Sequence, residues 1–465
     1  MANPRNINII AILILLFFII IAALVTVVFG ELILLYWWVI AFLVFSLLML
    51  LFERRYEGRS DIFSPVTVFI FITFIFFIFP AIYFVDKTEK SFMLSELCVI
   101  LSMPCFFFGY FLSRIKVFSR IALASPKEEW SPAIARFFCL SLMPFSIAMF
   151  FLIVQPFGGI WGYLANLWTN SRVTLGGMAY IVEIMTLPLM TTYFVMADYF
   201  KAGRKIDIIL GIFSLSLYST LSLFITAERG SIIIPIFSFL IMRHYLKRRY
   251  GILHICGMAL IVLFALVTLG ILRDYLHFGG TLGSDMINNL LSADFPGYML
   301  MHTGGMIFDV YQNTIASVPS VINYQYGFTY LVFAVKFVPR IFMPDKIQGA
   351  SEIIMAALYP QVKDAFFTPS YLGELYLNFG LAGVLTGSLL LGVFAAWLYS
   401  FLQKNIKNRL AVILYSVMMP IFIFEMRGDF GNATVGLIMG PVKIMLIYFL
   451  LKIFTVKKQG DLFLL

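Results

Sequence analysis

Residues 371–401 read YLGELYLNFGLAGVLTGSLLLGVFAAWLYSF and contain one charged side chain, Glu374. About twenty apolar residues are enough for a helix to cross a bilayer, so this run predicts a membrane-spanning helix with length to spare for an interfacial turn or a strong tilt. Similar apolar runs recur along the chain. The sequence therefore predicts an all-α, polytopic integral membrane protein.

The composition of the chain supports this class. Of its 465 residues, 62% are hydrophobic and only 12% are charged, and the mean hydropathy is +0.96. Soluble domains carry about 25% charged residues. The net charge of +9 would favour a nucleic-acid partner in a soluble protein, but here we assign it to orientation and to contact with anionic lipids, and expect no nucleic-acid partner.

Twelve apolar runs are long enough, or nearly long enough, to be spans. We predict a single membrane domain over residues 1–465, with spans near 7–29, 32–52, 63–84, 95–113, 134–155, 177–197, 206–225, 231–246, 252–272, 371–401, 410–425 and 433–454.

Basic residues occur in every second loop, which places those loops in the cytoplasm by the positive-inside rule. Both termini are then cytoplasmic. The basic residues that decide this are Arg54, Arg55 and Arg59, then Arg114, Lys116 and Arg120, then Lys201, Arg204 and Lys205, then Arg243, Lys247, Arg248 and Arg249, then Lys404, Lys407 and Arg409, and finally Lys457 and Lys458.

One connection is much longer than the rest. Residues 273–370 form a 98-residue loop on the outer side, between the ninth and tenth spans. Long ordered loops are usually functional. The loop is rich in tyrosine and phenylalanine, so we expect interfacial or re-entrant helices that cover the outer mouth of the bundle.

Arginines on the outer side are the principal binding candidates, because a guanidinium group is always charged and binds phosphate through two parallel hydrogen bonds. Arg229 and Arg427 stand in very tight outer turns, residues 226–231 and 425–434, each beside a glycine and a helix N-terminus that attracts anions. Snorkelling to lipid headgroups is the alternative for Arg229, and an ion pair with Glu425 or Asp429 is the alternative for Arg427. Weaker candidates are Arg340, Arg273 and Arg172.

The start of the tenth span supplies a candidate base. Glu374 and Asn378 are four residues apart and share one helix face. Burial makes a carboxylate a better general base near neutral pH, although a hydrogen bond to an adjacent helix is an equally good explanation. Asn378 and Tyr376 are candidate sugar-binding residues, and His302 and His277 are rival bases. His244 and His254 lie on the predicted cytoplasmic side and are not expected to take part.

Other chemistries find no support in the sequence. The four cysteines, Cys98, Cys105, Cys139 and Cys256, lie in apolar runs without the spacing of a disulfide framework or a zinc site. No ATP-binding, serine-hydrolase or zinc-protease motif occurs in a suitable context. The outer acidic residues do not cluster. We therefore predict no cofactor and a metal-independent mechanism.

Four features together resemble Wzy-type O-antigen repeat-unit polymerases: twelve spans, a long outer loop late in the chain, the Arg-Gly-Ser turn at residues 229–231, and the Tyr371-Leu…Asn378-Phe-Gly-x-x-Gly383 start of the next span. These proteins are similar in layout to O-antigen ligases. The resemblance implies a GT-C-like glycosyltransferase in the bacterial inner membrane that joins oligosaccharide repeat units carried on undecaprenyl pyrophosphate, with its active site facing the periplasm.

The resemblance also implies roles for individual residues. Arg229 matches the family arginine held to contact pyrophosphate. The ligases carry a His-Asn pair where this chain has Pro369 and Ser370, which favours the polymerase over the ligase and leaves the base to Glu374. The resemblance leaves open whether a chain-length regulator protein binds. A flippase or other transporter of the same lipid-linked oligosaccharide is the alternative class. Transport predicts charges near the middle of the bilayer and interrupted helices, and here the charges deep within spans are few, Glu183 and Lys443.

Overall fold

The computed structural model describes residues 30–57, 61–84, 90–112, 125–165, 178–226, 230–251, 257, 305–336, 338, 342–343, 346–361 and 367–462. Within these ranges the chain is helical and forms no strand. The helices are α1 (Gly30–Glu57), α2 (Pro65–Thr73), α3 (Phe79–Phe84), α4 (Lys90–Leu112), α5 (Pro132–Val154), α6 (Gly159–Ala165), α7 (Ala179–Met185), α8 (Leu187–Ala202), α9 (Lys205–Thr226), α10 (Gly230–Leu246), α11 (Met306–Ser317), α12 (Val332–Lys336), α13 (Ala350–Leu358), α14 (Ser370–Lys404), α15 (Arg409–Arg427) and α16 (Phe430–Leu462).

Seven apolar segments of this part of the chain are long enough to cross a membrane: Pro65–Ile82, Ser91–Leu112, Pro132–Phe157, Ile181–Ala202, Lys205–Ile225, Ser370–Lys404 and Thr434–Val456. Two shorter apolar helices, Gly230–Leu246 and Arg409–Phe424, accompany them. The predicted class is confirmed, because this is the fold of an α-helical, multi-pass membrane protein. The count of twelve spans stays a prediction. Predicted spans 7–29 and, apart from Gly257, 252–272 lie outside the described residues.

Helix α14 is broken near its start. Phe379 and Gly380 leave the helical region, and Gly380 has a φ of +60° that side chains rarely tolerate. A methyl group added at Gly387 would overlap the Leu375 side chain, and one at Gly383 would overlap the Leu375 carbonyl oxygen. In a straight helix Leu375 and Gly387 would be about 18 Å apart. Residues 370–378, the short segment, therefore fold back against residues 381–404, the long segment.

The break leaves backbone carbonyl groups at the end of the short segment without helical partners. A neighbouring turn supplies the missing donors. The N–H of Gln325 donates to the Leu377 carbonyl at 3.0 Å, and the N–H of Tyr326 donates to the Asn378 carbonyl at 3.1 Å. This turn belongs to the predicted outer loop, so part of that loop is fastened to the tenth predicted span.

The far end of the long segment is fixed by a buried aspartate. Asp61 accepts hydrogen bonds from the hydroxyl groups of Tyr399 and Tyr245, both at 2.9 Å, and His244 Nε2 lies 3.4 Å from its other oxygen. Burial raises the pKa of Asp61, but His244 and the two hydroxyl groups outweigh this effect and hold the pKa below its ordinary value. His244, set aside in the sequence analysis, thus belongs to an anchor between α10 and α14.

A second anchor at the same end holds residues 125–131, which precede α5. The Arg409 side chain pairs with Glu128 at 2.8 Å and with Asp198, and its guanidinium group stacks 4.3 Å from the Trp130 ring centre. Trp130 in turn donates its indole N–H to Asp198 at 3.3 Å. These contacts join α8, α15 and the segment before α5 at the predicted cytoplasmic end.

Candidate functional site

The short segment brings Glu374 against the start of another helix. Glu374 is 2% exposed. One of its carboxylate oxygens accepts the backbone N–H of Phe430 at 2.6 Å, and the other accepts the Thr329 hydroxyl at 2.7 Å. Phe430 is the first residue of α16, where unpaired N–H groups and the helix dipole favour negative charge. Both oxygens of the carboxylate are therefore held by hydrogen bonds at this helix end.

Asn378 completes this arrangement on the same face of the short segment. Its amide nitrogen donates to the Thr329 hydroxyl at 2.8 Å and to the Glu374 carbonyl at 2.9 Å, and its amide oxygen accepts the N–H of Gly327 at 2.8 Å. The predicted proximity of Glu374 and Asn378 is thus observed. The partner Thr329 was not anticipated, because no sequence pattern links it to a helix 45 residues away.

A second buried carboxylate lies beside the first. Asp429 is 3% exposed, accepts a hydrogen bond from the Ser351 hydroxyl at 2.6 Å, and is close enough to Glu374 to interact with it electrostatically. Ser351 stands in the first turn of α13. We call Glu374, Asn378, Thr329, Asp429 and Ser351 the carboxylate cluster, which joins four parts of the chain at one point.

Cationic groups adjoin the carboxylate cluster. Lys336 at the end of α12 interacts with Asp429, and the Lys346 ammonium group donates to the Lys336 carbonyl at 3.3 Å. Burial lowers the pKa of Lys336; Asp429 and Glu352 oppose that shift, while Lys346 adds to it. Carboxylates and lysines together provide groups that accept protons and groups that bind anions.

Arg427 is exposed and lies two residues before Asp429 in the chain. Its guanidinium group is 5.9 Å from the Phe424 ring centre, and its carbonyl accepts the Thr368 hydroxyl at 3.0 Å. Thr368 comes just before the short segment. Arg427 is therefore tied to both the α15 terminus and the chain that enters the carboxylate cluster.

The start of α10 lies beside the end of α15. A methyl group added at Gly230, the first residue of α10, would lie 3.6 Å from the same Phe424 ring that the Arg427 guanidinium faces. Gly230 follows Arg229 in the chain. Arg229 lies outside the described residues, as do Arg172, Arg273, Arg340, His277 and His302.

Tyr376, a predicted sugar-binding residue, is 7% exposed, and Asn378 is fully buried. Tyr376 is near Tyr324, and Tyr324 packs against Tyr326 with ring centres 6.2 Å apart. Tyr326 is 77% exposed, with a φ of +48°. Of these aromatic side chains, Tyr326 is the one most accessible to a ligand.

Across the described residues, no group of three or more histidine, cysteine, aspartate or glutamate side chains could hold a metal ion. No protein-family model matches the chain, and no curated protein or solved structure matches it significantly.

Proposed function

We propose that this protein is a membrane-embedded glycosyltransferase that joins oligosaccharide repeat units carried on a lipid pyrophosphate such as undecaprenyl pyrophosphate. The observation that carries the proposal is the convergence of Arg427, the start of α10 and the carboxylate cluster at one end of the bundle. A lipid pyrophosphate needs cations at its headgroup and hydrocarbon around its tail. An acceptor hydroxyl group needs a nearby proton acceptor.

The reaction is an inverting transfer. The acceptor hydroxyl oxygen attacks the anomeric carbon of the donor, the bond from that carbon to the pyrophosphate oxygen breaks, and the lipid pyrophosphate leaves with the bonding electrons. The hydroxyl proton passes to Glu374 after Thr329 releases the carboxylate. Arg427, with Arg229 as the adjacent predicted arginine, stabilises the charge that grows on the leaving oxygen.

The cellular setting follows from the same proposal. The protein lies in a bacterial inner membrane with both termini in the cytoplasm, and the carboxylate cluster faces the periplasm, where lipid-linked oligosaccharides are joined. The lysines of α12 and the following chain, Lys336 and Lys346, contact the second phosphate or the acidic groups of the glycan.

The test uses purified protein in lipid nanodiscs with a lipid-pyrophosphate-linked repeat unit, without ATP, and a gel that separates glycans by length. Wild type should give a polymer ladder. Arg427→Ala should lower the rate about 100-fold to 1,000-fold, in line with the loss of one oriented charged donor, and Arg427→Lys should retain part of it. Arg248→Ala, which removes an exposed arginine near the opposite end, is the matched control. An unreduced ladder from Arg427→Ala would refute the site.

A transporter of the same lipid-linked oligosaccharide is the second candidate, favoured by two observations. Helix α14 is interrupted, and interrupted helices are typical of transporter binding sites. Lys443 forms a 2.5 Å ion pair with Glu183 about 20 Å along α16 from Phe430, deep within an apolar helix. Movement of the lipid between leaflets of protein-containing vesicles, with no polymer formed, would favour this function over the transferase.

A further inference from the structure

Glu96 is a buried acid that the proposed reaction does not use. It lies in α4, inside the apolar segment Ser91–Leu112, and is 3% exposed. Neither of its carboxyl oxygens has a hydrogen-bond partner in the described part of the chain. Buried polar groups are nearly always paired, so an acid without a partner at this depth requires an explanation.

Among the described residues, the titratable groups that interact with Glu96 carry no positive charge. Tyr311 of α11 donates its hydroxyl to the carbonyl of Ser95 at 2.6 Å, and Tyr311 interacts with Glu96 itself. Cys98 of α4 also interacts with Glu96, and Tyr371 and Tyr376 of the short segment interact with Tyr311. None of these groups compensates a negative charge on Glu96.

An ionised carboxylate in such surroundings would be strongly destabilising, because it would lose its hydration and gain neither a cation nor a hydrogen-bond donor. The packed arrangement therefore requires the neutral acid. Ionisation requires water at Glu96, and water can enter only if a neighbouring element moves away.

The short segment of α14 can move away from α4 and α11 only when its hydrogen bonds to Gln325, Tyr326, Thr329 and Phe430 break. It is nine residues long, is joined to the long segment through Phe379 and Gly380, and starts at Ser370, which has a strained φ of +63°. A methyl group added at its Gly373 would lie 3.5 Å from the Tyr311 ring. Movement of this segment would remove a neighbour of Tyr311, the side chain that interacts with Glu96.

We propose that Glu96 is an intramembrane proton-binding site, which keeps its proton while the short segment packs against α4 and α11 and gives it to water when that segment moves away. The ligand is a proton. The site couples proton uptake and release to the position of the segment that carries Glu374. This coupling holds whether the protein transfers or transports its substrate.

The test follows both the proton and the segment. In a variant in which Cys98, Cys105, Cys139 and Cys256 are replaced by alanine, Phe379→Cys carries a spin label at the break, where the native side chain is 45% exposed. Infrared difference spectra record the protonated carboxyl band, and label mobility is recorded from pH 6 to pH 10 in nanodiscs. The band should disappear and the label become more mobile over the same pH range.

Glu96→Gln should abolish both changes, because the amide mimics the neutral acid and cannot ionise. Glu53→Gln, which alters another buried glutamate, is the matched control and should keep both. Glu96→Asp, which retains a titratable group, should shift the transition to a different pH. Two results would overturn the proposal: the same label transition in Glu96→Gln, or a carboxyl band that persists unchanged at every pH at which the unsubstituted protein remains folded.

Discussion

Glu374 accepts a hydrogen bond from the backbone N–H of Phe430, 56 residues further along the chain. The contact places a carboxylate at the first turn of α16 and fixes the short segment of α14 to the turn that carries Arg427 and Asp429. A carboxylate in this position stabilises the helix end, and the same carboxylate is our proposed proton acceptor. Structural and catalytic roles must therefore be separated by experiment.

Glu374→Gln tests this separation. The amide oxygen can still accept the Phe430 N–H, but the amide NH2 group cannot accept the Thr329 hydroxyl. We therefore expect a stability loss of about 1–3 kcal/mol. Glycosyl transfer should fall about 100-fold to 10,000-fold if the carboxylate accepts the proton. Thermal unfolding and single-turnover rates measure the two effects. Glu352→Gln, at the start of α13 where Glu352 caps Gly349, should change stability alone.

Thr329→Val removes the hydroxyl group that joins Glu374 and Asn378. It leaves a buried carboxylate oxygen and a buried amide hydrogen without that partner, and each loss costs about 1–3 kcal/mol. Thr386→Val, on the exposed side of the long segment, should change stability by less than about 0.5 kcal/mol. Equal unfolding temperatures for the two variants would contradict the hydrogen-bond arrangement described above.

Two glycines test the fold-back of α14. Gly387→Ala would collide with the end of the Leu375 side chain, which can shift, and Gly383→Ala with the Leu375 carbonyl, which is backbone. The second should cost about 1–3 kcal/mol, the usual range for overpacking, and the first should cost less. Adding Leu375→Ala should restore the stability of the first variant and not of the second, because it removes a side chain and leaves the backbone in place. Thermal unfolding of the two double variants decides between this geometry and a continuous helix.

The lowered pKa of Lys336 predicts how anion binding depends on pH. Its ammonium group loses its proton as the pH rises through a value below the ordinary 10.5, so binding of inorganic pyrophosphate should weaken earlier than it would for an exposed lysine. Lys336→Arg should keep binding at alkaline pH, because a guanidinium group stays charged. Calorimetric titration from pH 7 to pH 10 compares the pyrophosphate affinity of the wild type with that of Lys336→Arg. An affinity that changes with pH in the same way in both proteins would contradict a role for Lys336 in binding.

The sequence predicts more of the fold than of the site. Apolar runs locate the helices because burial in lipid demands about twenty such residues wherever a span occurs. The extra length of residues 371–401 predicts a turn or a strong tilt in that span, but the direction of the chain after Gly380 depends on Leu375 meeting Gly383 and Gly387. Such contacts follow from packing and leave no periodic signal.

The site shows the same division. Glu374 and Asn378 could be predicted because they share one helix face. Thr329, Ser351 and Lys336 could not, since each comes from a different part of the predicted outer loop and meets the carboxylates only in the folded chain. An ion pair of Arg427 with Glu425 or Asp429 stays an alternative, and Asp429 also accepts a hydrogen bond from Ser351, which the sequence did not indicate.

The break at Gly380 separates two roles along α14, one in the carboxylate cluster and one in anchoring the helix. Tyr399 binds the long segment of α14 to Asp61, while the short segment carries Glu374 and Asn378 of the carboxylate cluster. Rotation about Phe379 and Gly380 would move the short segment while the hydrogen bond between Tyr399 and Asp61 stays in place. Substitutions in the short segment can therefore alter the carboxylate cluster, and substitutions in the long segment can alter the anchor, each independently of the other.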